Sequence, residues 1–140
     1  GSFAGYIPWH VENLVIGATR NWCKTVLEWN LASDPEYKPY TDRGGCTSCL
    51  GAITIDKNKV IRNPAYYIIA HASKWVRPGS VRIESNLPAG LPNAAFRRPD
   101  GKMVLIVLNR TDSARSFDIQ YKKITAGMVL AAGAVATYIW

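Results

Sequence analysis

The chain has 140 residues, of which 48% are hydrophobic and 19% are charged, and its formal net charge is +7. This length and composition are typical of a globular domain with a core, which excludes an intrinsically disordered protein. No apolar run approaches the roughly 20 residues that a membrane-spanning helix needs, so we expect no membrane span.

The excess of basic residues is spread along the chain. No block of consecutive like charges marks a nucleic-acid-binding surface. We therefore expect a solvated basic surface and no nucleic-acid partner. The chain begins at Gly1 without a methionine, and we expect it to be a processed or excised piece of a longer protein.

An amphipathic helix is the first predicted element, over residues 10–24, after a loop that ends at Pro8. Its apolar face is formed by Val11, Leu14, Val15, Ala18 and Trp22. The apolar run Val26–Leu31 follows and predicts a short strand buried on both faces. A helix that leads into such a strand is a unit of a parallel α/β sheet, whose carboxyl-terminal edge binds ligands. The residues at that edge would be Glu28, Trp29 and Asn30.

A long loop is predicted over residues 33–51, and it contains Cys46 and Cys49 in the run Cys-Thr-Ser-Cys. The spacing of the chain's cysteines and histidines fits neither a four-ligand zinc site nor a thioredoxin-like pair, so we predict no metal and no cofactor. We expect a disulfide between these two residues, with two free thiols as the alternative. A disulfide would indicate an exported protein, secreted or periplasmic. Cys23 is predicted to be a small buried hydrophobic residue.

The remaining elements are predicted from turn residues and periodicity. A hairpin over residues 52–62 turns at Lys57-Asn58, and Asn63-Pro64 then begins a helix that extends to Trp75, with His71 packed in the core. From Ser80 onward, apolar and polar residues alternate with period two. The strands predicted there are 81–85, 93–97, 103–109, 115–121, 129–130 and 134–140. Short strands separated by Pro, Gly and Asp turns are typical of an antiparallel sandwich.

Several segments, taken in order, resemble a single family. They include Glu12–Trp22, the run Leu-Glu-Trp-Asn-Leu-Ala at 27–32, Gly45–Cys49, Ala70–Ile83, Pro99–Gly101, Val104–Asn109 and Thr137–Trp140. Together they resemble the C-terminal portion of glycoside hydrolase family 30, which includes glucosylceramidases and β-1,6-glucanases. The resemblance implies a mixed α and β fold, in which the last helix–strand unit of a (β/α)8 barrel precedes an antiparallel β-sandwich.

This resemblance divides the chain into three regions. Residues 1–50 would form the end of the barrel and a long loop on its active face. Residues 51–79 would form a hairpin and the final barrel helix, and residues 80–140 would form the sandwich. The parent protein would be a retaining β-glycosidase, and its partners would be a β-glucoside or β-glucan substrate and the remainder of the barrel.

The family's mechanism uses two glutamates from earlier barrel strands, and neither has a matching position in this chain. We therefore assign no catalytic residue here. The resemblance implies that Trp29 lines the sugar pocket, with plain core packing as the alternative, while Glu28 points away and bonds to the surrounding helices. Asn30 either caps the strand end or hydrogen-bonds a sugar hydroxyl.

A stand-alone β-sandwich module that binds carbohydrate or protein, without chemistry, is the second interpretation. It leaves Val11, Leu14, Trp22 and Leu27 without an obvious core, which favours the glycosidase. The sequence also contains the glycosylation sequon Asn109-Arg110-Thr111, which has meaning only in a eukaryotic secretory host.

Overall fold

The computed structural model describes residues 3–41 and 43–140. Its helical layer begins with one continuous stretch in three parts. These are α1 (Phe3–His10), a π-helical segment (Val11–Gly17) and α2 (Ala18–Arg20). The later helix, α3 (Pro64–Ser73), packs against α1.

The predicted helix over residues 10–24 is misplaced at both ends. Pro8 lies inside α1 rather than in a preceding loop. A proline in a helix loses one hydrogen bond and crowds the carbonyl one turn earlier, which is why its presence predicted a loop. At the other end the helix stops after Arg20, and Trp22 has a φ of 68° and a side chain that is 76% exposed. Trp22 therefore does not belong to the buried face. Its ring lies 4.4 Å from the Arg82 guanidinium instead.

A small three-stranded sheet follows the first helix. Its strands are β1 (Ala32–Ser33), β2 (Ile53–Asp56) and β3 (Lys59–Arg62), in the order β1-β2-β3. The pairing of β1 with β2 is parallel, whereas β2 and β3 form the predicted antiparallel hairpin. The prediction of a hairpin over residues 52–62 is confirmed.

The prediction of a buried strand over Val26–Leu31 is wrong. Among the described residues this segment has no strand partner, and its Leu27 side chain is 94% exposed. Strand pairing begins at the next residue, Ala32, opposite Ile53. The apolar composition of a segment predicts burial only where neighbouring strands supply the second surface, and the described residues supply none here.

The C-terminal part contains a four-stranded antiparallel sheet and a separate hairpin. The sheet has the order β4-β5-β6-β9, with β4 (Val81–Ile83), β5 (Asn93–Arg97), β6 (Met103–Leu108) and β9 (Val135–Ile139). The hairpin consists of β7 (Arg115–Tyr121) and β8 (Ile124–Leu130). The strand predicted over residues 103–109 is present as β6 and lies in the interior of the sheet. The predicted two-residue strand at 129–130 is too short, because β8 pairs along its whole length with β7.

Two apolar clusters cover the two faces of the four-stranded sheet. On one face, helical residues such as Val11, Val15 and Ile68 pack against Phe96 and Ile106. On the other face the hairpin covers the sheet in a second cluster, which consists of Leu91, Leu105, Val107, Phe117, Leu130, Ala134, Ala136 and Tyr138. The result is three layers of helix, sheet and hairpin. At the end of the first helical stretch, the Arg20 guanidinium donates hydrogen bonds to the Ser85 hydroxyl, the Ser85 carbonyl and the Asn93 carbonyl.

His71 is half-buried where α3 packs against β9, so the core position predicted for it is reached only in part. Its Nδ1 lies 2.8 Å from the Thr137 hydroxyl, so the contact joins α3 to β9. Burial lowers the pKa of His71 below its usual value of 6.5. The folded chain therefore takes up a proton at this site less readily than the unfolded chain does.

This difference predicts a pH-dependent stability. As the pH falls below about 6.5, the imidazole of His71 is protonated in the unfolded chain before it is protonated in the folded chain, and this protonation favours unfolding. The contribution of His71 to stability is therefore present above that pH and is lost as the pH falls through the folded pKa. The thermal midpoint of the wild type should fall between pH 8 and pH 5, and the fall should be smaller in His71→Asn, which keeps a polar group near Thr137. Melting curves of both proteins across this range, if they run parallel, would contradict the prediction.

Candidate functional site

A cleft of about 350 Å³ opens beside the segment that joins the first helix to β1, in the size range of small-ligand sites. One wall is formed by Glu28 and Trp29 and another by the loop around Cys49, while the start of α3 closes the base. The lining residues are His10, Glu28, Trp29, Tyr37, Ser48, Cys49, Leu50, Gly51, Asn63, Pro64, Ala65 and Ile68.

Two exposed aromatic side chains, Trp29 and Tyr37, line this cleft. Trp29 is 71% exposed and Tyr37 is 37% exposed. An exposed indole presents a flat apolar face with a polar N–H at its edge, and such a face suits stacking on the C–H face of a sugar ring. The arrangement can therefore bind a ring that is apolar on one face and hydroxylated at its rim.

Glu28 lies in the same cleft as Trp29, so the prediction that it points away is wrong. Successive side chains point to opposite faces only in a regular strand, and this segment is not a strand. The predicted bond to a helix is present, because Glu28 Oε1 lies 3.2 Å from Nδ1 of His10 at the end of α1.

Asn30 is used by the backbone that leads into β1. Its φ is 70°, and its Oδ1 accepts a hydrogen bond from the Ala32 N–H at 3.1 Å. This is the local Asx-type turn for which asparagine is suited. Asn30 does not line the cleft. Its role in substrate binding stays a prediction, and the structure shows only the alternative role at the strand end.

Cys46 and Cys49 form a disulfide, as predicted, and Cys49 contributes to the cleft wall. The bond closes a tight turn within the long loop. Cys23, in contrast, is an exposed free thiol, so the prediction that it is buried is wrong. It follows the end of the helix instead of lying within it, and it therefore misses the apolar face.

A count of free thiols tests this assignment. Under denaturing, non-reducing conditions the chain should react with about one equivalent of a thiol reagent, from Cys23, and with about three after reduction. The native chain should also react once, because Cys23 is exposed. Three reactive thiols without reductant would show that the disulfide is absent.

A buried polar cluster that the sequence did not reveal closes the base of the cleft. The Asn63 side chain donates to the Gly51 carbonyl at 2.8 Å and to the Thr54 hydroxyl at 2.9 Å. Gly51 donates its N–H to the Ser33 hydroxyl, and a Cβ at Gly51 would lie 2.7 Å from the Ala32 backbone. The predicted N-cap, Asn63, does precede α3, but its side chain makes these contacts instead of capping the helix.

Two absences concern the described residues only. Within residues 3–41 and 43–140, no three His, Cys, Asp or Glu side chains are grouped so that they could hold a metal ion. No helix in this part of the chain combines the length and the apolar character that crossing a bilayer requires.

Comparison with known families identifies the C-terminal layers. Residues 79–138 match the family described as the glycosyl hydrolase family 30 beta sandwich domain. The chain belongs to glycosyl hydrolase family 30 through this domain. The match covers the four-stranded sheet and the hairpin. The residues that line the cleft precede it in the chain and lie outside it.

Relatives of this family 30 chain include a glucanase and a glucosylceramidase. Endo-1,6-beta-D-glucanase neg1 of Aspergillus fumigatus is 29% identical over 108 residues, which are 72% of this chain and 22% of that protein. Lysosomal acid glucosylceramidase of Mus musculus is 30% identical over 116 residues, which are 81% of this chain and 22% of that protein. The chain thus spans about a fifth of the length of these relatives.

Solved structures extend the likeness beyond the sandwich. The endo-beta1,6-glucanase BT3312 has a TM-score of 0.87 and 31% identity, over 96% of this chain and 31% of that one. SrfJ from Salmonella typhimurium has a TM-score of 0.87 and 27% identity, over 100% of this chain and 31% of that one. The helices, the small sheet and the sandwich of this family 30 chain therefore recur together in larger proteins.

Proposed function

We propose that this chain is the C-terminal part of a retaining β-glycosidase that hydrolyses β-glucosidic bonds, with a β-1,6-glucan as the first substrate to test. The chain supplies an aromatic wall of the sugar site and the β-sandwich. The observation that carries the proposal is the exposed Trp29 indole in a cleft of about 350 Å³, in a chain similar over 96% of its length to an endo-beta1,6-glucanase.

The reacting groups are proposed to lie outside this chain. A retaining glycosidase holds two carboxyl groups about 5 Å apart across the scissile bond. Glu28 is the one carboxylate among the described residues that line the cleft, and its oxygen is paired with His10. This chain therefore positions sugar, while the acid/base and nucleophile belong to the remainder of the protein.

The exposed apolar surface of residues 26–31 supports the proposal that another part of the protein covers this segment. Leu27 is 94% exposed and Leu31 is 77% exposed, on the segment whose composition predicts a buried strand. Neighbouring apolar side chains exposed in this way are typical of surfaces that another protein segment covers. We propose that the remainder of a (β/α)8 barrel covers them, with Trp29 left at the mouth of the barrel.

The disulfide supports a proposed location. A bond between Cys46 and Cys49 on an exposed loop persists in an oxidising compartment and is rare in the cytosol. We therefore propose a secreted or periplasmic protein. Fractionation of the native host, followed by immunodetection, would contradict this if the protein were found in the cytosol.

The test uses the full-length protein that contains this chain. Purified protein should release reducing ends from β-1,6-glucan, and replacing the two presumed glutamates of the upstream barrel by glutamine should abolish this release. Glucosylceramide serves as the comparison substrate, because the second group of relatives carries that name. Activity that survives both glutamine substitutions would eliminate the retaining glycosidase.

A non-catalytic module predicts a different pattern. The isolated 140-residue chain would then be monodisperse, would retain a sugar on its own and would need no further polypeptide. The closed apolar cluster between the four-stranded sheet and the hairpin favours an independently folded sandwich. Size-exclusion chromatography of the isolated chain separates the two cases, because the glycosidase predicts self-association through the exposed residues 26–31.

A further inference from the structure

We infer that His10 and Glu28 form a positioning pair that holds Trp29 in the cleft and thereby sets the affinity of the proposed sugar site. This inference rests on the proposed function, because it names residues that act on the same site. Neither side chain is assigned a role in bond cleavage. Their effect on sugar is exerted through the indole that follows Glu28 in the chain.

The segment that bears Trp29 has few other attachments. Among the described residues, the backbone between Lys24 and Trp29 makes no hydrogen bond to another element. Pairing begins at the Asn30 and Leu31 carbonyls, which accept from the N–H groups of Ala52 and Ile53. The contact of Glu28 with His10 is therefore the polar attachment of this stretch to the helical layer.

The other side of the segment is not filled by packed side chains. A second cavity of about 250 Å³ lies between this segment and the helices, and Glu28 lines it as well as the cleft. The lining residues of this cavity include Cys23, Lys24, Thr25, Val26 and Ala72. Because a cavity offers no close packing, van der Waals contact does not fix the segment here, and the polar contact carries more of the restraint.

His10 is a firm anchor for such a contact. It is the last residue of α1, and the next residue, Val11, is completely buried and belongs to the main apolar cluster. The two side chains of the pair are only 25% and 21% exposed, so water competes with their contact less than it does at an open surface. The π-helical segment begins at Val11, and such segments occur often beside functional sites.

The experiment uses the full-length protein and measures KM and kcat on β-1,6-glucan together with Tm. Glu28→Ala should raise KM about fivefold, the effect of losing one hydrogen bond, with kcat within about twofold of the wild type. Glu28→Gln should keep a KM near that of the wild type, because its amide oxygen can accept the same hydrogen bond. Glu84→Ala, at an exposed glutamate outside the cleft, is the matched control and should leave KM unchanged.

A double-mutant cycle separates positioning from a merely structural role. His10→Ala and Glu28→Ala should each raise KM, and the double variant should be no worse than either single variant. Combined with Trp29→Ala, neither should have a further effect. A normal KM in Glu28→Ala, a Glu28→Gln variant as impaired as Glu28→Ala, or effects that multiply with Trp29→Ala would overturn the inference.

Failure of the proposed function has a distinct signature. If the wild type does not hydrolyse the glucan, or if Trp29→Ala leaves KM and kcat unchanged, the sugar site itself is refuted and the positioning pair with it. If Trp29→Ala impairs the enzyme while both Glu28 variants behave like the wild type, only the positioning pair is refuted.

Discussion

Replacement of Asn109 by alanine is expected to lower the free energy of unfolding by about 3 kcal/mol, which corresponds to a fall in Tm of roughly 10 °C. The side chain is completely buried where β6 ends. Its Nδ2 donates to the carbonyls of Ser113, Leu130 and Ala131, and its Oδ1 accepts from the N–H and hydroxyl of Thr111. Alanine would remove all five hydrogen bonds, of which the one to the Leu130 carbonyl is buried and the others are partly buried. A buried polar group that loses its partner keeps the cost of desolvation.

Chemical denaturation of the chain at fixed pH measures this change. Asn86→Ala is the matched control, because Asn86 is exposed and accepts a hydrogen bond from Asn93 through its backbone carbonyl, so its effect should stay within about 0.5 kcal/mol. An Asn109→Ala variant as stable as this control would contradict the prediction. The same burial argues against a glycan on the Asn109 sequon. A glycan would be attached to Nδ2, the atom that donates to the carbonyls of Ser113, Leu130 and Ala131.

The sandwich half of the chain could be predicted from the sequence because the side chains that its periodicity marks as buried are covered by other strands of the same chain. β5 and β7 have the bounds that alternation and turn residues indicated, and the continuous apolar run of β6 is central. Each of these strands finds its partners within the described chain. The exception is β8, whose Gly127 and exposed Thr125 weaken the apolar signal while backbone pairing with β7 defines the strand.

The segment after the first helix was harder to predict because its apolar side chains, such as Leu27 and Leu31, are not buried by the described chain. Composition alone indicated a strand at Val26–Leu31, and the structure has an exposed segment. An error in that one element then placed Glu28 on the wrong side of Trp29. Local rules about faces apply only after the type of element is known.

The polar contacts at the cleft could not be predicted from spacing. Asn63 has the sequence position of a helix cap, yet its amide bonds to Gly51 and Thr54, which are brought close only when β2 and the long loop fold. His10 and Glu28 are likewise 18 residues apart, and no periodic pattern connects them. Their pairing depends on how the chain reverses after Arg20, where Trp22 adopts a left-handed backbone conformation. Trp29, in contrast, was proposed as a pocket residue through the family resemblance of the run at residues 27–32, and it lines the cleft.

Substitution of Trp29 by alanine in the full-length protein is expected to lower kcat/KM on β-1,6-glucan about 30-fold, or about 2 kcal/mol of transition-state binding. The indole is 71% exposed, so its removal should change Tm by no more than about 2 °C. Trp29→Phe should retain part of the activity, because a smaller aromatic face can still stack on the sugar.

Trp22→Ala provides the matched control for this experiment. Trp22 is 76% exposed, a fraction close to that of Trp29, but its ring stacks with Arg82 and lies outside the cleft. Loss of that exposed contact should leave kcat/KM within about twofold of the wild type. If the two alanine variants lose activity equally, the loss reflects a general effect of removing surface aromatics. If Trp29→Ala retains full kcat/KM, the indole does not bind the substrate, and the sugar site must lie elsewhere in the protein.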